Sequence, residues 1–215
     1  MHDRGEYTAA EQLWRQAAEA GHTDAQFDVG VVLHERGDTD SLTQTEELWR
    51  KAAAAGHLAA QLNLGILLYG QGDAKSAESW WRTAADAGNT DAQYNLGALL
   101  VARADTGSTA EAMRWWRIAG GAGHGEAQYS LGALLFGHGE PGSLTEAEMW
   151  WRKAAHAGHI SAQHNLGVLL FQRGDARSLY EAQGWWRAAA DARHSSARRN
   201  VDELTKHSPQ KLANL

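Results

Sequence analysis

The chain has 215 residues and a net charge of −6, from 20 Lys+Arg against 26 Asp+Glu, and it holds 23 Gly, 10 Trp and no Cys. Without Cys there is no disulfide scaffold, no Cys-ligated zinc site and no Cys nucleophile, and the acidic balance argues against a protein that coats DNA, which needs a basic face. With 40 Ala against nine Val plus Ile a sheet protein is disfavoured, while 43% hydrophobic content supports a folded core.

The chain opens Met1-His2-Asp3-Arg4-Gly5 with no apolar segment behind it, so no signal peptide is expected. The longest apolar runs, such as Leu96 to Ala102, are too short to cross a bilayer, and a cytoplasmic location is the default expectation. His2-Asp3-Arg4-Gly5 mirrors His34-Glu35-Arg36-Gly37, as if the chain entered at the tail of a helix. Residues 6–21 then read as a half-repeat around Trp14-Arg15 that lacks its hairpin mate. Two explanations stay open: a truncated start, or a partner or second copy that covers this face.

Five hairpins are predicted next, at about 23–56, 57–88, 89–123, 124–158 and 159–193. Their anchors are Trp14-Arg15, Trp49-Arg50, Trp81-Arg82, Trp116-Arg117, Trp151-Arg152 and Trp186-Arg187, at steps of 35, 32, 35, 35 and 35 residues. Gly30, Gly65, Gly97, Gly132 and Gly167 run in phase, as do the stops Gly21, Gly56, Gly88, Gly123 and Gly158. Repetition of this kind is the signature of stacked supersecondary units. The first helix of a unit, such as Asp91 to Val101, puts Ala92, Leu96, Leu99 and Leu100 on one face; the second, such as Ser76 to Ala87, does so with Ala77, Trp80, Trp81, Ala84 and Ala85. Glycine past the last turn caps a helix cheaply. The 32-residue step reads as one loop shortened by three residues. A helical glycine costs ~1 kcal/mol relative to Ala, so five of them need a steric reason. The Trp pair is expected to fill the space between successive hairpins, with Trp80, Trp115, Trp150 and Trp185 the candidates for sugar or base stacking instead. After the last stop, where Arg193 replaces Gly, a polar capping helix is expected at 195–206, with a tail at 208–215; residues 1–207 are read as a single domain.

Ala77-x-x-Trp80-Trp81-x-x-Ala84-Ala85-x-x-Gly88, followed by Ala92-x-x-x-Leu96-Gly97, resembles the Sel-one-like repeat, a relative of the tetratricopeptide repeat. The family's usual Tyr, three residues after the helical Gly, is replaced by Leu33, Leu68, Leu100, Leu135 and Leu170. The resemblance implies an all-α, α/α superhelical solenoid that binds other proteins, often as an adaptor, with first helices lining the concave side.

Chemistry is sparse in the pattern. Gly137 to Gly142 matches G-x-G-x-x-G but lies between two helices rather than after a strand, so it reads as a loop. His22, His57, His124, His159 and His194 recur once per repeat, too far apart to share a metal. His156, His159 and His164 form the one cluster, the basis of a weaker metal or enzyme reading. Arg after Trp follows Glu by four residues in Glu11-Arg15, Glu46-Arg50, Glu78-Arg82 and Glu148-Arg152, as on a solvated helix face, with an anion-binding ladder as the alternative. No cofactor, catalytic residue or metal ligand is assigned.

A partner surface is expected on the first helices. One row holds Asp28, Asn63, Asn95, Ser130 and Asn165, side chains able to hydrogen-bond an extended backbone. Neighbouring rows supply aromatic anchors, among them Tyr69, Tyr94, Tyr129, Phe136 and Phe171. The competing reading packs the aromatics between adjacent first helices. The sequence therefore predicts a noncatalytic scaffold for a protein or peptide, with no nucleic acid and no membrane. A regulatory or homodimerising module, using the face around Leu13 and Trp14, is the alternative.

Overall fold

The structure, a computed structural model, describes residues 12–139 and 141–207. Readings that rest on His2 to Gly5, Glu11, Glu140 or residues 208–215 lie outside the described residues. Within them the chain is all-α, with no strand. The helices are α1 (12–19), α2 (Thr23–Arg36), α3 (Thr39–Ala54), α4 (Leu58–Gly70), α5 (Ala74–Asp86), α6 (Thr90–Ala102), α7 (Thr106–Gly121), α8 (Gly125–His138), α9 (Pro141–His156), α10 (Ile160–Arg173), α11 (Ala176–Asp191) and α12 (Ser195–His207). They fall into two compact units, residues 1–112 and 113–215, whose boundary lies within α7.

In the first unit α2 packs on α3 and α4 on α5 as hairpins, and α3 meets α4 and α5 meets α6 from one hairpin to the next. In the second unit α8 pairs with α9 and α10 with α11, joined by α9 to α10 and by α11 to α12. Each first helix buries a small-then-large stripe: Ala60, Leu64 and Leu68 on α4, and Ala162, Leu166 and Leu170 on α10. Each second helix answers with Trp and Ala, as Ala77, Trp81, Ala84 and Ala85 do on α5. Burying one Leu fully is worth about 1.5–3 kcal/mol, and no single hairpin covers both of its faces alone.

One expectation is corrected. The 32-residue step is not a shorter loop. The Gly72-Asp73 turn matches Gly37-Asp38, and α5 itself has 13 residues where α3, α7, α9 and α11 have 16. The Trp positions divide their work: Trp150 reaches Gly120 and Trp185 meets His156, each on the preceding hairpin, while Trp49, Trp81, Trp151 and Trp186 also lie against the helical glycine of their own hairpin.

Candidate functional site

The start of each first helix is built by the residue after the stop glycine. His57 ends α3, because its backbone N–H donates to Ala52 O at 3.0 Å, and it begins α4, because its Nδ1 accepts from Ala60 N at 3.1 Å. Asn89, His124, His159 and His194 do the same for α6, α8, α10 and α12, each bonding back five residues and capping the helix that follows. A cap of this kind is worth about 1 kcal/mol. Accepting at Nδ1 leaves the ring proton on Nε2, which faces Asp24 at 3.5 Å from His57 and Glu126 at 3.2 Å from His159. The His ladder is thus a row of helix caps from His57 on, whereas the His22 side chain makes no cap bond to α2.

Trp and Gly close the hairpins of α2 with α3, α4 with α5, α8 with α9 and α10 with α11. Trp49, Trp81, Trp151 and Trp186 donate Nε1–H to the carbonyls of Phe27, Leu62, Tyr129 and His164 at 3.0–3.2 Å. A Cβ on Gly30, Gly65 or Gly167 would stand 2.4 Å from the indole nitrogen, and one on Gly132 2.5 Å from it. Only a bare Cα lets the ring reach those carbonyls. Between hairpins a glutamine acts as the tie: Gln26, Gln61, Gln93, Gln128 and Gln163 donate Nε2–H to Ala18, Ala53, Ala85, Gly120 and Ala155 O at 2.8–3.2 Å. Ala-Gln recurs in every full copy, and that repetition was the signal for it.

The expected partner rows are placed unevenly. Asp28 is exposed and Asn63, Asn95, Ser130 and Asn165 are half-buried. In the first unit Tyr69 is exposed and leans on Trp81, Tyr94 is half-buried, and Ile66 and Tyr69 stand with Asn95, Ala98 and Leu99 around an open groove of about 320 Å³. In the second unit Tyr129 stacks on the capping His159 at 4.6 Å, Phe136 tilts over Trp151, and the exposed Phe171 tilts over Trp186. Asn165 Oδ1 accepts from His164, whose Nε2 faces the Asn200 amide at 3.2 Å and whose ring stacks on His194 at 4.5 Å. Burial, helped by His194 against a smaller opposing pull from Asn165, holds His164 below the usual imidazole range and keeps it neutral.

The second helices carry a charge ladder. Arg50, Arg82 and Arg152 bond the Glu four residues before them, as the sequence suggested. Arg82, Arg117 and Arg152 also grip Glu111, Glu146 and Glu181, each 29 residues on in the next second helix. Arg103 and Arg173 add a further contact to Glu78 and Glu148. Arg117 holds Glu146, and Arg152 holds Glu181, below the ordinary carboxylate range. Burial pushes Glu78 up, but Arg103 and Arg82 overcome it. Of the first-position Trp residues, Trp150 is buried and Trp80, Trp115 and Trp185 are half-buried.

Among the described residues no group of three His, Asp or Glu is placed to hold a metal. His156 meets the edge of Trp185, His159 caps α10, and His164 bonds two asparagines, so the sequence cluster does not converge. No described helix is long and apolar enough to cross a membrane.

A family model described as Sel1 repeat matches residues 4–22, 23–57, 58–89, 90–124, 125–159 and 160–194. No curated protein is significantly similar in sequence. Among solved structures, c5321, a protective antigen present in uropathogenic Escherichia coli strains and displaying an SLR fold, is 31% identical with a TM-score of 0.78 over 91% of this chain. The chain spans 44% of the length of that protein. A Sel1 repeat protein from Oxalobacter formigenes is 23% identical, with a TM-score of 0.72 over 96% of this chain and 87% of its own, a likeness of fold.

Proposed function

The chain belongs to the Sel1-repeat family, and from that membership we propose that it is a noncatalytic scaffold holding a protein or an extended peptide on the first-helix face of its units, expected to be concave. Sel1 repeats generally serve as protein–protein interaction scaffolds. The observation that carries the reading is the groove of the first unit. There Ile66 and Tyr69 are each 50% exposed beside Asn95, so apolar anchors and an amide stand together. Replacing Asn63, Asn95 and Asn165 with Ala tests it. Affinity capture from the source cell, read by mass spectrometry, should lose its specific partner while far-UV circular dichroism is unchanged. Unchanged capture would place the site elsewhere. The reading carries a cytoplasmic adaptor role with it, which fractionation of the source cell tests.

One observation favours a second reading. Leu13 is 66% and Trp14 44% exposed on α1, beside a groove of about 440 Å³ that Ala18, Val29, Leu33 and Leu48 help to line. Such a face suits a homodimer or a regulatory contact. Light scattering that reports a strict monomer at high concentration would remove the homodimer.

A further inference from the structure

In three successive copies, Arg82, Arg117 and Arg152, the Arg after the second Trp takes the carboxylate of the next second helix. Arg117 and Arg152 do so in the second unit, to Glu146 and Glu181. Arg187 is the next member of the series. It is exposed, among the described residues it has no carboxylate partner, and Gln183 stands four residues before it where α3, α5 and α9 have Glu. Around it α11 offers an open groove of about 700 Å³, lined by Arg177 and Arg187 together with Tyr180, Gly184, Trp185 and Ala188. Tyr180 is 65% exposed, and the groove's one carboxylate, Glu181, is already held by Arg152. The surface is cationic and apolar together, the complement of an acidic amphipathic helix.

On α12, Asp202 stands in register with Gly167, 35 residues on. In the hairpin of α10 and α11 a Cβ at that place would meet the Trp186 ring at 2.4 Å. An occupant carrying Trp at its own docking position therefore does not fit. This disfavours a second copy through α1, which brings Trp14 and has Ala9, five residues earlier, where α11 has Glu181.

We propose that this groove binds an acidic amphipathic helix of another protein, seated as the next second helix would be, with a carboxylate on Arg187 and a small residue in place of Trp. The proposal shares the scaffold reading's class of partner but uses a different face, so either can fail alone.

A peptide patterned on residues 176–191, made acidic by Arg177→Glu and Arg187→Glu, carrying Trp186→Ala and held helical by a lactam, is the probe. It is titrated with the full chain by fluorescence anisotropy. Saturable binding is expected. Arg187→Gln in the protein, or Glu181→Gln in the peptide, should weaken it about tenfold, the scale of one charge-assisted pair, and the two together should cost no more than either alone. The protein with Asn63, Asn95 and Asn165 replaced by Ala should bind as the wild type does. Absence of saturation below about 1 mM, additive losses, or loss in the asparagine variant would overturn the proposal. So would a dimer in sedimentation that Arg187→Gln abolishes, which would give the groove to a second copy.

Discussion

One methyl group tests how a hairpin closes. Gly132→Ala puts a Cβ 2.5 Å from the Trp151 ring, whereas Gly184→Ala, in the middle of α11, meets nothing within 4 Å. Both changes gain about 1 kcal/mol of helix propensity. Overpacking of about 1–3 kcal/mol outweighs it at Gly132 only, so chemical denaturation should show Gly132→Ala destabilising and Gly184→Ala stabilising. The sequence revealed that the helical glycines needed a steric cause. It did not give the cause, because periodicity fixes which face a Trp occupies and not which of two neighbouring helices that face meets. His164 makes a second residue-scale test. Its folded form favours the neutral ring, so the unfolded chain takes up a proton first as pH falls. The stability it contributes is present above the unfolded value of about 6.5 and is lost below it. Thermal melts should show the wild type losing more stability than His164→Gln between pH 7 and the mildly acidic range.

Helix starts and stops were largely legible, since glycine, alanine and acid recur at fixed offsets. What escaped was the double use of the residue after the stop from His57 on, because His is an unusual cap and a His that recurs once per repeat carries no sign of the backbone groups it bonds. Asn89→Ala should remove about 1 kcal/mol and speed amide exchange in α6, the helix it begins. Arg193 occupies the stop-glycine position with φ 66°, in the left-handed region. Arg193→Gly should raise the melting temperature, relieving strain of about 1 kcal/mol. Periodicity alone does not show that the three missing residues come from α5, because a deletion inside a helix and one in a loop shift the repeat equally. Arg50 has no distant glutamate because the register position held by Glu111 on α7 is Ser76 on α5.

Across the whole chain the fold class followed from three anchors kept in phase over nearly every residue. The charge ladder did not, because its partners lie 29 residues apart and a sequence shows only the pairs at four. Glu46, Glu146 and Glu181 have carboxyls lowered by Arg50, Arg117 and Arg152. Their contribution is therefore full above the unfolded value of 4.5 and disappears as pH falls through the folded one. Melting temperature should drop below about pH 5, and molar salt at neutral pH should lower it modestly by screening. A single-domain chain over 1–207 should melt in one transition by calorimetry; two would separate residues 1–112 from 113–215. The junction residues such as His57 have a lasting consequence for how such a chain can vary. Because one amino acid both closes a helix and opens its successor, the sharp bend there has no slack, and a single inserted residue would leave one end uncapped. The opposite bends, as at Gly37-Asp38 and Gly72-Asp73, divide those tasks between two residues. Lineages descended from this chain should gather their insertions and deletions along that edge alone, and it is the edge on which to graft foreign loops.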